Sequence, residues 1–256
     1  DEALEARREM EALKSHPEFG PLLALAPVEN PPAAPAAVLP VSAVVPAPMR
    51  MHAWSFEEGR GTLSLPDEGV QPLHLSGMKW TEGRSGGGLL LDGVNSRILL
   101  NPADWQALAV TNSFTLAAWV RATDFRRSPP VFSRQTEARK GWAMTINTAG
   151  NVQLEVRGGG EKLRLLSKDV LSPETWHHLA MTLDSSSGKT RAEIFVDGLL
   201  AASGEAPWQP EENDLPLLIG GYRWSASYDL HFGGRMDTVV FCSPALDADA
   251  AKSLAR

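Results

Sequence analysis

The chain has one cysteine, Cys242, in 256 residues. A single thiol excludes a disulfide scaffold and a zinc module built on cysteines. Basic residues are in deficit, with 24 Lys+Arg against 31 Asp+Glu and a formal net charge of −7. That balance argues against a general binder of nucleic acid or of anionic membranes, because phosphate rewards a basic footprint. No apolar stretch reads as a membrane span. The most apolar one, Pro27 to Pro48, is interrupted by prolines that each remove a backbone donor and fix φ. What remains is 43% hydrophobic and 21% charged, a folded chain with length enough for a core.

Two regions differ in their punctuation. Residues 1–50 hold nine of the 19 prolines but only Gly20 of the 22 glycines. Residues 1–16 are rich in Ala, Glu, Leu and Arg, with acids early, and predict a short helix that Pro17 stops. Residues 17–50 predict a stiff Pro/Ala-rich linker. With no initiating Met and no signal peptide at Asp1, the expectation is a piece of a longer protein with another domain upstream.

Residues 51–256 read as one domain of many short strands. Phe114, Leu116, Ala118 and Val120 alternate along Ser113–Arg121 and define one apolar face. Leu179, Met181 and Leu183 do the same along Trp176–Leu183, with Trp176, His178 and Ala180 opposite. Arg191–Val196 runs into Asp197-Gly198, a strong hairpin signal. Leu215–Gly220 and Met236–Phe241 are further strands, and Pro216 should mark the start or edge of the first. Asp247 to Leu254 reads as a short closing helix with Asp247 near its cap. The sum is an all-β antiparallel sandwich or barrel.

The segments that carry a family likeness run in order: Ala53–Thr62, Gly86–Gly93, Ser113–Val120, Thr175–Ala180, Ile194–Gly198, Leu218–Gly221, Gly234–Val239 and Pro244–Asp247. In this order they resemble the laminin G-like, concanavalin A-like jelly-roll family across residues 52–255. The resemblance implies two antiparallel sheets packed face to face. It implies an extracellular or cell-envelope setting, and it implies a structural Ca²⁺ with Asp237 in the acidic position and Asp92 as helper. The fold hosts sugar binders, adhesion modules and enzymes alike, so activity must come from the site.

The residues offer little for catalysis. Family glucanases carry paired acids on one strand face, whereas Glu155 here is followed by Val156 and Arg157. Glu193 and Asp197 share a face by parity, but Asp197 belongs to a turn. His177 and His178 are adjacent on a strand and point to opposite faces, so they cannot share one ion. Cys242 reads as a buried inert thiol.

Sugar recognition needs aromatic platforms beside polar loop groups. The segment Gly220–His231 holds both tyrosines of the chain. It supplies the candidates Tyr222, Arg223, Trp224 and Tyr228, with Trp208 between prolines and Trp142 as further aromatics. Phe125-Arg126-Arg127 could rim the same end. The leading expectation is therefore a non-catalytic recognition or adhesion module that binds a glycan. It would sit in a larger secreted or envelope protein, without nucleic acid and without membrane insertion by this segment. The alternative is a structural module that docks on a protein, either its own parent chain or an oligomer partner. A degenerate glycan-active enzyme is the third reading.

Overall fold

The computed structural model describes residues 49–68, 71–108, 112–135, 140–211, 214–225 and 228–256. The helix expected over 1–16 and all but the last two residues of the linker expected over 17–50 lie outside the described residues. The described residues fall in one compact unit. Its first strand starts at Arg50, one residue before the expected boundary.

Two antiparallel sheets face each other, as the alternation requires. The first contains β1 (Arg50–Trp54), β4 (Lys79–Glu82), β5 (Gly87–Asp92), β7 (Ser113–Ala122), β12 (His177–Asp184), β13 (Thr190–Val196), β14 (Leu199–Ala206) and β18 (Gly233–Ser243). Its order is β14-β13-β12-β7-β18-β5-β4, and β1 also pairs with β18. The second contains β2 (Leu63–Ser64), β3 (Leu73–Ser76), β6 (Arg97–Leu100), β8 (Pro130–Gln135), β9 (Gly141–Ile146), β10 (Asn151–Gly158), β11 (Glu161–Val170) and β15 (Leu217–Ile219). Its order is β11-β10-β9-β8-β15-β6-β3-β2. A hairpin of β16 (Gly221–Ser225) and β17 (Tyr228–His231) forms a small sheet of its own. This is the jelly-roll sandwich.

Parity decides what each strand buries. Phe114, Leu116, Ala118 and Val120 of β7 and Leu179, Met181 and Leu183 of β12 enter the inter-sheet core. Met144 and Ile146 of β9 and Val152, Leu154 and Val156 of β10 meet them from the other sheet. Each of these side chains except Ala118 contributes about 1.5–3 kcal/mol by leaving water. Trp54, Phe56, Phe132 and Phe241 are fully enclosed. The Asp197-Gly198 turn has φ of 50° and 79°, the left-handed pair that a two-residue hairpin needs. Pro216 directly precedes β15, where its missing donor costs the ladder nothing.

The outer face of the first sheet carries a second, smaller core. Ala117, Ala180, Phe195, Val240 and Cys242 pack under Ala251, which belongs to α2 (Ala248–Ser253). The Asp247 side chain caps that helix by accepting from the Ala250 amide. Cys242 is buried, and burial, with Glu68 nearby, pushes its thiol up to about 11, which keeps it protonated and inert. A six-residue helix, α1 (Pro102–Ala107), was not expected. Its signature is local: Asn101 at the cap, Pro102 at the first position and Asp104 closing a capping box.

Candidate functional site

The outer face of the second sheet is built differently. Side chains that alternate with the core residues of β8 to β11 point away from it, and the register sets them in rows. Ser133 lies opposite Ala143, Ala143 opposite Glu155, and Glu155 opposite Arg164. One row along, Thr145 lies opposite Gln153. At the other side Arg157 lies opposite Lys162. The central positions are small and the flanking ones long, which leaves a trough. The β16–β17 hairpin closes one side. The Ser133 hydroxyl donates to the Gly221 carbonyl at 2.7 Å, and the Tyr222 hydroxyl donates to Gln135 Oε1 at 2.8 Å. The β7–β8 loop closes another side, anchored by buried Phe125 and presenting Arg126 and Arg127. The result is an open cleft of about 590 Å³ lined by amides, hydroxyls and charged groups, with Tyr222 and Leu230 on its wall.

The electrostatics within it are specific. Glu155 is the one carboxylate among the described residues lining the cleft, and it pairs with Arg157 at 2.7 Å. Arg164 donates to Gln153 Oε1. Arg126 is held by Asp124, its neighbour in the loop.

The expected site residues do not share one rim. Tyr222 lines the cleft, with only its edge exposed. Arg223 and Trp224 fall on β16 and Tyr228 on β17, but their side chains lie outside the described residues. Trp142 is a correction. It shares parity with Met144 and Ile146, faces the core at 3% exposure, and packs against Phe114 and Trp105. Its edge reaches a separate hollow of about 300 Å³ at the end of the inter-sheet space. Trp208 is also corrected: it is half-buried and packs on the main core instead of standing on a rim. Gly158 lets it in, since a Cβ there would sit 2.9 Å from the Trp208 ring and 1.9 Å from the Gln209 carbonyl. The residues that the sequence reading missed are Gln135, Gln153, Arg157, Lys162 and Arg164. The alternation Gln153, Glu155, Arg157 was the available signal for an open polar face.

The residues expected to hold Ca²⁺ do not fit it. Asp237 Oδ2 accepts from the amides of Arg84 and Ser85 at 2.8 and 3.2 Å, and Oδ1 accepts from the Thr238 hydroxyl. Burial raises its carboxyl above the usual range against the pull of these bonds. Asp92 Oδ1 accepts from the amides of Val94, Asn95 and Ser96 at 2.8–2.9 Å. Burial opposes its charge, but these amides and the Ser96 hydroxyl outweigh it and hold the carboxyl well below the usual range. A cation needs six to eight oxygens facing it; these carboxylates face N–H and O–H donors. Among the described residues no three His, Cys, Asp or Glu side chains gather as a metal site.

The two histidines separate as strand parity demands. His177 Nδ1 lies 2.8 Å from Asp197 Oδ2. His178 is buried edge-on against Trp119. Arg84 covers Trp119 with its guanidinium 3.8 Å from the ring. No helix among the described residues is long and apolar enough to cross a membrane.

Residues 92–251 match the family model of the concanavalin A-like lectin/glucanases superfamily, and the chain belongs to it. No curated protein matches in sequence. Solved structures do. Domain 4 of AbnA, a GH43 extracellular arabinanase from Geobacillus stearothermophilus solved with arabinotriose, has a TM-score of 0.63 at 17% identity, over 81% of this chain and 99% of that one. The Trypanosoma rangeli sialidase gives 0.60 at 15% identity, over 80% of this chain but 32% of that one, so the likeness spans about a third of that protein. The CBM40 of the Ruminococcus gnavus IT-sialidase, bound to α2,3-sialyllactose, gives 0.54 at 15% identity over 66% and 95%. At these identities the likeness is one of fold.

Proposed function

We propose that the chain is a carbohydrate-binding, lectin-like module that recognises a glycan in the cleft on the outer face of its second sheet and breaks no bond there. The observation that carries this reading is the cleft itself: a preformed trough of about 590 Å³ on a rigid sheet, lined by convergent hydrogen-bonding groups. Gln135, Thr145, Asn147 and Gln153 offer the mixture of donors and acceptors that sugar hydroxyls need. Tyr222 supplies an aromatic wall.

The non-catalytic part of the reading rests on chemistry. Glycoside hydrolysis needs two carboxyl groups about 5–9.5 Å apart, and the described lining offers Glu155, already paired with Arg157. Support from likeness comes from the arabinotriose-bound and sialyllactose-bound domains, which share the fold. A secreted or cell-surface setting follows for such a module, with the glycan as its partner.

A glycan array probed with the whole chain, followed by calorimetry on the hits, tests the reading. The expected result is retention on a defined set of saccharides, lost on Gln153→Ala or Thr145→Ala with the melting midpoint kept, and no new reducing ends after prolonged incubation. Absence of any hit, or hits indifferent to both variants, would sink it. Turnover of a bound glycan would overturn the non-catalytic part alone.

A further inference from the structure

We infer that this cleft, taken as the saccharide site proposed above, selects anionic saccharides, reading a carboxylate or sulfate group with Arg164, Lys162 and Arg127. The chain as a whole carries a formal charge of −7, yet the described lining of the cleft sets five cationic side chains against one carboxylate. Two of the five have internal partners. Arg157 is paired with Glu155, and Arg126 with Asp124. Arg127, Lys162 and Arg164 line the same cleft with no ion pair among the described residues.

The register sharpens the point. Arg157 and Lys162 are direct cross-strand partners on β10 and β11. Like charges in that position repel and weaken a sheet. Glu155 offsets Arg157 from one side, which leaves Lys162 as the cation of the pair that an incoming anion meets. Arg164 is steadied by its bond to Gln153, and a guanidinium held this way presents a fork that matches the two oxygens of a carboxylate or sulfate. Nucleic acid would need a basic footprint that follows a long backbone. Here five cations gather in one trough on a chain that is acidic as a whole.

The test uses polygalacturonate, a sulfated galactan, neutral galactan and a single-stranded DNA 20-mer, each titrated into the full chain at 50 and 300 mM NaCl. Binding of either anionic polysaccharide at least tenfold tighter than neutral galactan, weakened by the higher salt, is the expected result. The stronger of the two identifies carboxylate or sulfate as the group read. Lys162→Gln and Arg164→Gln are expected to cost about tenfold each. Arg127→Gln, on a loop outside the sheet, repeats the test should an edge-strand variant fold poorly. Equal binding of neutral galactan, with the Gln153→Ala effect intact, would overturn the charge selection and leave the saccharide site standing. No polysaccharide bound at all would remove the reading beneath it. DNA bound more tightly than every polysaccharide would make the trough a nucleic-acid site and overturn the inference.

Discussion

The two outer faces of the sandwich were made from the same alternating strands and have opposite fates. On the first sheet the outward residues include an apolar cluster, Ala117, Ala180, Phe195, Val240 and Cys242, and α2 seals it. On the second, Thr145, Gln153, Glu155, Arg157 and Arg164 point outward, and apart from the hairpin and one loop they stay open. A two-layer fold needs only its inner faces to be stable. Apolar outward residues must then be covered by the chain itself, whereas polar ones can be left for a ligand. The difference points to which face works and which face only holds.

Substitutions can break that contrast in order of size. Phe195→Ala should cost about 3–5 kcal/mol in urea unfolding, since it empties a fully enclosed site on the sealed face. A loss below about 1 kcal/mol would mean that α2 does not seal it. Asp237→Ala on β18, an interior strand of the first sheet, should cost about 2–4 kcal/mol, because it orphans the Arg84 and Ser85 amides. The same reasoning predicts a melting midpoint indifferent to EDTA, and a fall of several degrees on chelation would restore the ion to Asp237.

Burial, reinforced by Arg84 and opposed by Asp197, lowers His178 from 6.5 to about 4. Its folded value lies below its unfolded one, so the unfolded chain takes up the proton first. Stability is therefore full above pH 6.5 and falls as the pH drops toward 4, by roughly 2–3 kcal/mol from this group. His178→Gln should flatten that slope, with His52, also lowered by burial, accounting for what is left. An unchanged slope would count against a neutral buried ring. Thr145→Trp on the open face is the smallest case for stability. It should shift unfolding by no more than about 0.5 kcal/mol, yet fill the trough and abolish glycan retention. Unaltered retention would move the site elsewhere.

The layers of the fold were legible because inward residues recur every second position in Ser113–Val120 and Leu179–Leu183, and the Asp197-Gly198 turn announces itself. The helix α1 was not, being too short for a period to show, although Asn101, Pro102 and Asp104 spell its cap. The site was the least legible part. Gln153, Glu155 and Arg157 look like any solvated strand edge until register sets them beside Arg164, Lys162 and a loop about 30 residues upstream. That pairing is a property of β8 to β11 together. Trp142 and Trp208 attracted notice as aromatics, but parity with Met144 and Ile146 already turned Trp142 inward.

The β16–β17 hairpin is a ladder separate from both main sheets, tied down by side-chain bonds at Ser133 and Gln135, by the Arg97–Asp229 ion pair and by His231 against the Ser96 carbonyl. It behaves as an insert more than a beam. Lengthening, trimming or swapping it would redraw the mouth of the trough while the two layers kept their own pairing. Under the proposed reading, a change confined to this hairpin would alter ligand preference at small thermodynamic expense.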